Sequence, residues 1–207
     1  MSVRIGLKIT ADSTKRADAG ARAVSTISIR ADSEVDTKAF RRALGRFGTG
    51  VTVLTTRGGT EVRGMTANAF MSGSLHPPLV IVSIDRNARL HHHVADTRLL
   101  GISILSASQE AYSRHFAGQV REDLRPEFEF ICGIPVLANA LATIATEVYA
   151  SYPCGDHTLF VARVRHVAFR EGSPLLYFTG AYGSLAPVLK EGKPCAGGWD
   201  LYQAPWW

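Results

Sequence analysis

The chain has 207 residues, 46% hydrophobic and 20% charged, a balance that excludes disordered, collagenous and fibrous proteins and suffices for one core. Its net charge of +5, from 23 Lys and Arg against 18 Asp and Glu, is scattered. The adjacent basic pairs, Lys15-Arg16 and Arg41-Arg42, make no stripe for a phosphate backbone, so an anionic small ligand is expected rather than nucleic acid.

Cys132, Cys154 and Cys195 lack Cys-x-x-Cys spacing, which argues against a disulfide framework or a thiolate zinc centre and fits a reducing cytoplasm. No apolar run approaches the ~20 residues that span a bilayer; the longest, Leu79-Val80-Ile81-Val82, stops at Ser83. Residues 1–34 are rich in Ser, Thr, Ala and alternating charge, without an aromatic residue. They read as a disordered extension that lacks a secretory apolar segment, and Asp12, Asp18 and Asp32 argue against a transit peptide.

From Asp36 the pattern changes. Asp36 can cap a short helix to Phe47, with Phe40, Ala43, Leu44 and Phe47 spaced to give one apolar face. Val51-Thr52-Val53-Leu54-Thr55-Thr56 is β-branched and alternating, and Gly58-Gly59 predicts a tight turn into a second strand from Thr60. After Pro77-Pro78, residues 79–85 predict a strand buried on both faces. Then come a short helix over 87–95, a strand over 99–105, and a helix started by Ser106 or Ser108 that carries Ala111, Tyr112, His115 and Phe116. Long alternating segments over 142–152, 158–170 and 175–178 complete the pattern. Strands dominate and no βαβ alternation occurs, which favours a closed or partly closed antiparallel barrel in one domain over residues 35–190. Residues 191–207 form an aromatic tail with Trp199, Trp206 and Trp207.

The P-loop, nucleophile-elbow, His-Glu-x-x-His and Gly-x-Gly-x-x-Gly patterns are missing, which weakens the NTPase, hydrolase, zincin and Rossmann readings. His91-His92-His93 lie on a predicted helix, where consecutive imidazoles point about 100° apart. They cannot face one ion, and no metal centre is expected. Gly64-Met65-Thr66-Ala67-Asn68-Ala69-Phe70 places small residues beside short polar side chains. It could be a solvated strand end or a surface offering donors to a flat polar ligand. Asp156 and His157, in Gly155-Asp156-His157, could equally be a turn cap and a strand start.

Five segments in order decide between these readings: Phe47-Gly48-Thr49-Gly50-Val51-Thr52-Val53, the Gly64 to Phe70 run, Ser74-Leu75-His76-Pro77-Pro78-Leu79-Val80, Tyr152 to Phe160, and Pro174-Leu175-Leu176-Tyr177-Phe178. Together they resemble the flavin reductase-like family, FMN-binding split barrels that supply reduced flavin to two-component monooxygenases. The resemblance implies a mostly β split barrel with short helices, paired as a homodimer. It implies that Thr66, Ala67 and Asn68 hold the flavin ring and ribityl chain, and that Ser83 and the turn carrying Asn87 and Arg89 meet its phosphate. Relatives often carry Ser-x-Thr where this chain has Ala88-Arg89-Leu90, so two hydroxyl donors are missing there. It further implies that Gly155, Asp156 and His157 border the nicotinamide, with His157 orienting it as the catalytic side chain. Tyr182 is either a lid over the ring or a core residue.

The expected activity is hydride transfer from NADH or NADPH to FMN or FAD, with the reduced flavin passed to a separate monooxygenase. The alternatives are an electron-transfer module that keeps its flavin, and an oxidase of the pyridoxamine-phosphate oxidase class, which would call for clustered basic residues that this chain lacks.

Overall fold

A computed structural model describes residues 35–185; the N-terminal extension and the aromatic tail lie outside the described residues. Helix α1 spans Thr37–Leu44, followed by strands β1 (Thr49–Gly50), β2 (Thr52–Gly58), β3 (Glu61–Ala67), β4 (Phe70–Leu75) and β5 (Pro78–Asp85). Helix α2 (Arg89–Thr97), β6 (Leu99–Ile104), a single 3-10 turn and α3 (Glu110–Phe116) come next. The chain closes with β7 (Phe128–Ile131), β8 (Ile134–Leu137), β9 (Ala142–Cys154), β10 (His157–Phe169), β11 (Leu176–Phe178) and β12 (Ala181–Gly183). Among the described residues no helix is long and apolar enough to cross a membrane.

Seven strands form one antiparallel sheet in the order β3-β2-β6-β9-β10-β5-β4. Its outermost strands, β3 and β4, are consecutive in the chain, joined only by Asn68 and Ala69, and do not pair with each other. The barrel is therefore split, as expected for the mostly β class. At Val51 the chain changes partner: Thr49 and Gly50 pair with β11 in a separate β1-β11-β12 sheet, and from Thr52 the strand pairs with β3 and β6.

Burial on both faces falls on β2, and also on β6 and β8, whereas the sequence had pointed to β5. In β5 only Val80, Val82 and Ile84 are buried, while Leu79, Ile81 and Ser83 are half-exposed on the other face. In β2, Leu54 enters one apolar cluster with Ile84, Leu100, Ile102 and Phe160. Val53, with the preceding Val51, enters another with Leu105, Leu137 and Leu175. Threonine disguised this burial, because each buried hydroxyl donates to a carbonyl: Thr52 to Ala67 at 2.7 Å, Thr55 to Pro135 at 2.5 Å and Thr56 to Leu99 at 2.7 Å. Such pairing removes most of the cost of burying a hydroxyl.

Two local expectations shift. The β2–β3 turn is Gly59-Thr60, one residue later than predicted, because Gly58 still pairs with Glu61 and it is Gly59 that takes a left-handed φ of 72°. Helix α1 ends at Leu44, and its apolar face meets no core: none of its residues is buried, and Phe40 and Leu44 are more than half exposed. Ser106 starts the following helical segment through a reciprocal pairing with Gln109, as its position suggested.

Candidate active site

The seam between β3 and β4 is lined by three adjoining grooves that share Asn68. The largest, about 450 Å³, runs over the outer face of β4, β5 and β10 and is lined by Asn68, Phe70, Met71, Ile81, Ser83 and Leu159, with Leu44, Phe47 and Thr49 forming a wall. A second, about 360 Å³, follows residues 47–52. The third, about 180 Å³, lies between Thr66, Ala67, Tyr177 and Tyr182. This combination of a mostly apolar surface and few polar groups suits a flat heteroaromatic ligand.

Among the described residues, two polar groups where the grooves meet have no protein partner, nor has the Ser83 hydroxyl further along. The Thr49 Oγ1 atom is buried without a hydrogen bond, and among the described residues the Asn68 side chain makes none. A buried hydroxyl left unpaired is costly, so a ring with polar atoms along one edge fits this lining. Thr49 is the residue that reading the sequence missed. Its signal was the flanking Gly48 and Gly50, whose lack of side chains leaves it approachable.

Thr66 and Tyr182 are committed differently. The Thr66 hydroxyl donates to the Ser113 carbonyl at 2.6 Å, leaving it only lone pairs to offer a ligand. Tyr182 bonds the Ser113 hydroxyl at 2.8 Å, meets Tyr177 edge-on at 5.2 Å and carries the Arg114 guanidinium 4.8 Å from its ring centre. Held on three sides, it walls the third groove, and it also packs against the second apolar cluster. Gly64 lets Phe116 lie close, since a Cβ there would sit 2.8 Å from the ring.

The remaining expected residues gather at the end of the β5–β10 ladder. Ser83 pairs with Leu159 and Asp85 with His157, so the His157 pair lies two residues, about 7 Å, beyond the groove lining on the same face. The turn between β9 and β10 is Gly155-Asp156, with Gly155 at φ 60°. Its Asp156 carbonyl accepts the Arg86 amide at 3.0 Å, which ties it to the β5–α2 turn. That second turn is closed by Asp85, whose carboxylate accepts the Asn87 amide at 2.8 Å and whose carbonyl accepts the Ala88 amide at 3.0 Å. Arg89 opens α2 and is exposed, and neither it nor the Asn87 side chain has a hydrogen-bond partner among the described residues.

His157 Nδ1 donates to the Asp156 carboxylate at 2.6 Å. That hydrogen bond, reinforced by the imidazole's charge when protonated, holds the Asp156 carboxyl below its usual range. It also fixes the neutral tautomer, leaving Nε2 as an acceptor.

Of the three consecutive histidines, His91 turns inward. Its Nε2 meets the Thr158 hydroxyl at 2.9 Å and its ring lies 5.4 Å from Phe160, while its Nδ1 is buried without a partner. His92 is exposed and His93 lies against Gly58.

The family profile described as "Flavin reductase like domain" matches residues 44–186. An NADH-dependent flavin reductase of a Rhodococcus species is 47% identical over 157 residues, covering 74% of this chain and 89% of that protein. The reductase component of 4-hydroxyphenylacetate 3-monooxygenase from Thermus thermophilus is 42% identical, covering 72% of this chain and 96% of its own length. Among solved structures, the flavin reductase PheA2 superposes with a TM-score of 0.72 at 44% identity, over 73% of this chain and 99% of its own.

Proposed function

This chain belongs to the flavin reductase-like family, and from that premise we infer that it is a flavin reductase that oxidises NADH, reduces FMN or FAD and supplies the reduced flavin to a separate monooxygenase. With both substrates bound, nicotinamide C4 is the hydride donor and flavin N5 the acceptor, so the protein's work is to hold the two rings in register. No strong acid or base is needed.

The observation that carries the reading is the convergence of three grooves on Asn68 within the family-matched residues. Asn68 and Thr49 hold the polar edge of the flavin ring, Ala67 gives it a flat approach, and Thr66 offers lone pairs. Tyr182 and Phe47 wall the ring from water. Ser83 follows the chain of the flavin toward its phosphate, for which Asn87 supplies donors and Arg89 charge. Gly155 and Asp156 shape the nicotinamide end, where the Asp156 bond leaves the His157 Nε2 free to accept from a carboxamide N–H.

The exposed apolar face of α1, with Phe40 and Leu44, supports pairing of two copies. The exposed free thiols of Cys132 and Cys154 support a reducing, cytoplasmic setting.

The test is NADH oxidation by exhaustively dialysed protein under air, with and without added FMN or FAD. Oxidation that requires and saturates in added flavin is the expected result. A protein that stays yellow and fails to consume NADH or NADPH under any of these conditions overturns it.

A further inference from the structure

On the same β9–β10 pair, beyond the flavin grooves and away from His157, lies a second cleft of about 310 Å³ lined by Arg98, Glu147, Val148, Tyr149, Arg163 and Arg165, none of which lines those grooves. The ladder beside it is interrupted twice. Register passes from Val161–Ala150 to Ala162–Val148, skipping Tyr149, and from Val164–Thr146 to His166–Ala145, skipping Arg165. Each strand thus carries one bulge, and the two extra residues flank the Glu147–Arg163 pair. Bulges re-aim side chains and are features of design rather than accident; here both re-aimed residues line the same cleft.

Arg98 closes the third side. It ends α2 in a left-handed conformation, φ 54°, unusual for a residue with a Cβ. Its carbonyl accepts the Val148 amide at 2.8 Å and its guanidinium donates to the Val148 carbonyl at 2.5 Å. The strained residue is thereby locked to the first bulge.

Three guanidinium groups face one carboxylate. Glu147 is already bound by Arg165, through Nε at 3.0 Å and through Nη2. That bond, with the charges of Arg165, Arg98 and Arg163, lowers the pKa of the Glu147 carboxyl from its usual range. Two positive charges remain unmatched. The Arg163 guanidinium lies 5.2 Å from the Tyr149 ring centre, and its Nε is buried without a partner. A buried charged donor without an acceptor is among the costlier defects a fold can carry; an anion in the cleft supplies one.

We propose that this cleft binds a phosphate dianion, free or as the end of a phosphomonoester. Two uncompensated guanidinium charges match a dianion, and planar forks suit its oxygens. Arg163 lies six residues along β10 from His157, about 20 Å away, so the site is separate from the phosphate-bearing end of the flavin.

The test is calorimetric titration of inorganic phosphate, and separately of adenosine monophosphate, into the full-length protein at fixed ionic strength without flavin or NADH. Arg163→Gln and Arg98→Gln should each weaken phosphate binding about tenfold, and Arg163→Lys, which keeps the charge but loses the fork, about threefold. Arg89→Gln should leave it unchanged. NADH turnover should be unchanged in the Arg163 variants, and circular dichroism melting confirms that each variant folds. Binding of either ligand that depends on Arg163 supports the site; tighter binding of the monophosphate identifies an ester. Binding of neither ligand, binding indifferent to Arg163 and Arg98, or binding lost with Arg89 alone overturns the proposal.

Discussion

Ala67 and Ala69 stand two apart in the chain, yet their carbonyls accept hydrogen bonds from opposite flanks of the sheet, from the Thr52 hydroxyl at 2.7 Å and the Ser83 amide at 3.1 Å. Asn68 sits between them, its carbonyl accepting the Phe70 amide at 2.9 Å, and among the described residues its side chain makes no hydrogen bond. Asn68→Ala should therefore weaken flavin binding about tenfold, the worth of one hydrogen bond to a ligand, and barely alter the unfolding midpoint. Titration of flavin fluorescence quenching measures the first, and wild-type affinity would remove Asn68 from the site.

Thr49→Val separates fold from function. It removes a buried hydroxyl that no protein group satisfies, so the flavin-free protein should melt slightly higher, by up to about 1 kcal/mol of stability. Flavin affinity should fall. Thermal melts with and without flavin check both signs, and a variant stabilised by flavin as strongly as wild type contradicts the role.

His157→Ala should raise KM for NADH about tenfold with flavin affinity unchanged. Asp156→Asn should do so by less, because it weakens the hydrogen bond that orients the imidazole without removing the ring. Steady-state kinetics in both substrates read these effects. An unchanged KM in His157→Ala would place the nicotinamide elsewhere.

Burial, followed by the neighbouring charges of His92 and Arg86, lowers the pKa of His91 below its usual value; Asp85 opposes them more weakly. Between that lowered pKa and the unfolded value of about 6.5, the unfolded chain binds the extra proton and the folded one does not. Stability should accordingly fall as pH drops below about 6.5 and go on falling until the folded pKa is passed. In His91→Gln that acid limb should be shallower, as melting temperatures from pH 8 to pH 5 will show. Parallel limbs would exonerate His91.

Gly101→Ala should cost several kcal/mol, because the added Cβ would sit 2.0 Å from the Pro135 carbonyl oxygen and 2.6 Å from the Thr55 hydroxyl. Overpacking against backbone has no soft side chain to absorb it. Urea denaturation is the measurement, and a midpoint near wild type would mean that β8 can move away.

Much of this was legible in the sequence, for identifiable reasons. The β2–β3 hairpin, the long β9–β10 pair and the Ser106 cap follow from alternation, glycine placement and short hydroxyl side chains. The burial of β2 was not legible, because threonine reads as polar until its carbonyl partners, forty or more residues away for Thr55 and Thr56, are known. Likewise the Phe40 and Leu44 face of α1 has the pattern of a core helix, and only the structure shows it exposed, with Leu44 at the rim of a groove. Asn68 and His157 carried family resemblance. Thr49 lay within the first of the resembling segments but was given no role there, and the Arg163 cleft depends on two ladder irregularities that no periodicity announces.

The bond from the Arg86 amide to the Asp156 carbonyl uses main-chain atoms only. The link between the two turns it joins does not depend on the side chains of Arg89 and His157. Arg89 and His157 can therefore be exchanged, by selection or in the laboratory, without resetting the distance between them. On the proposed roles of Arg89 and His157, cofactor preference would be open to retuning one residue at a time on this backbone frame.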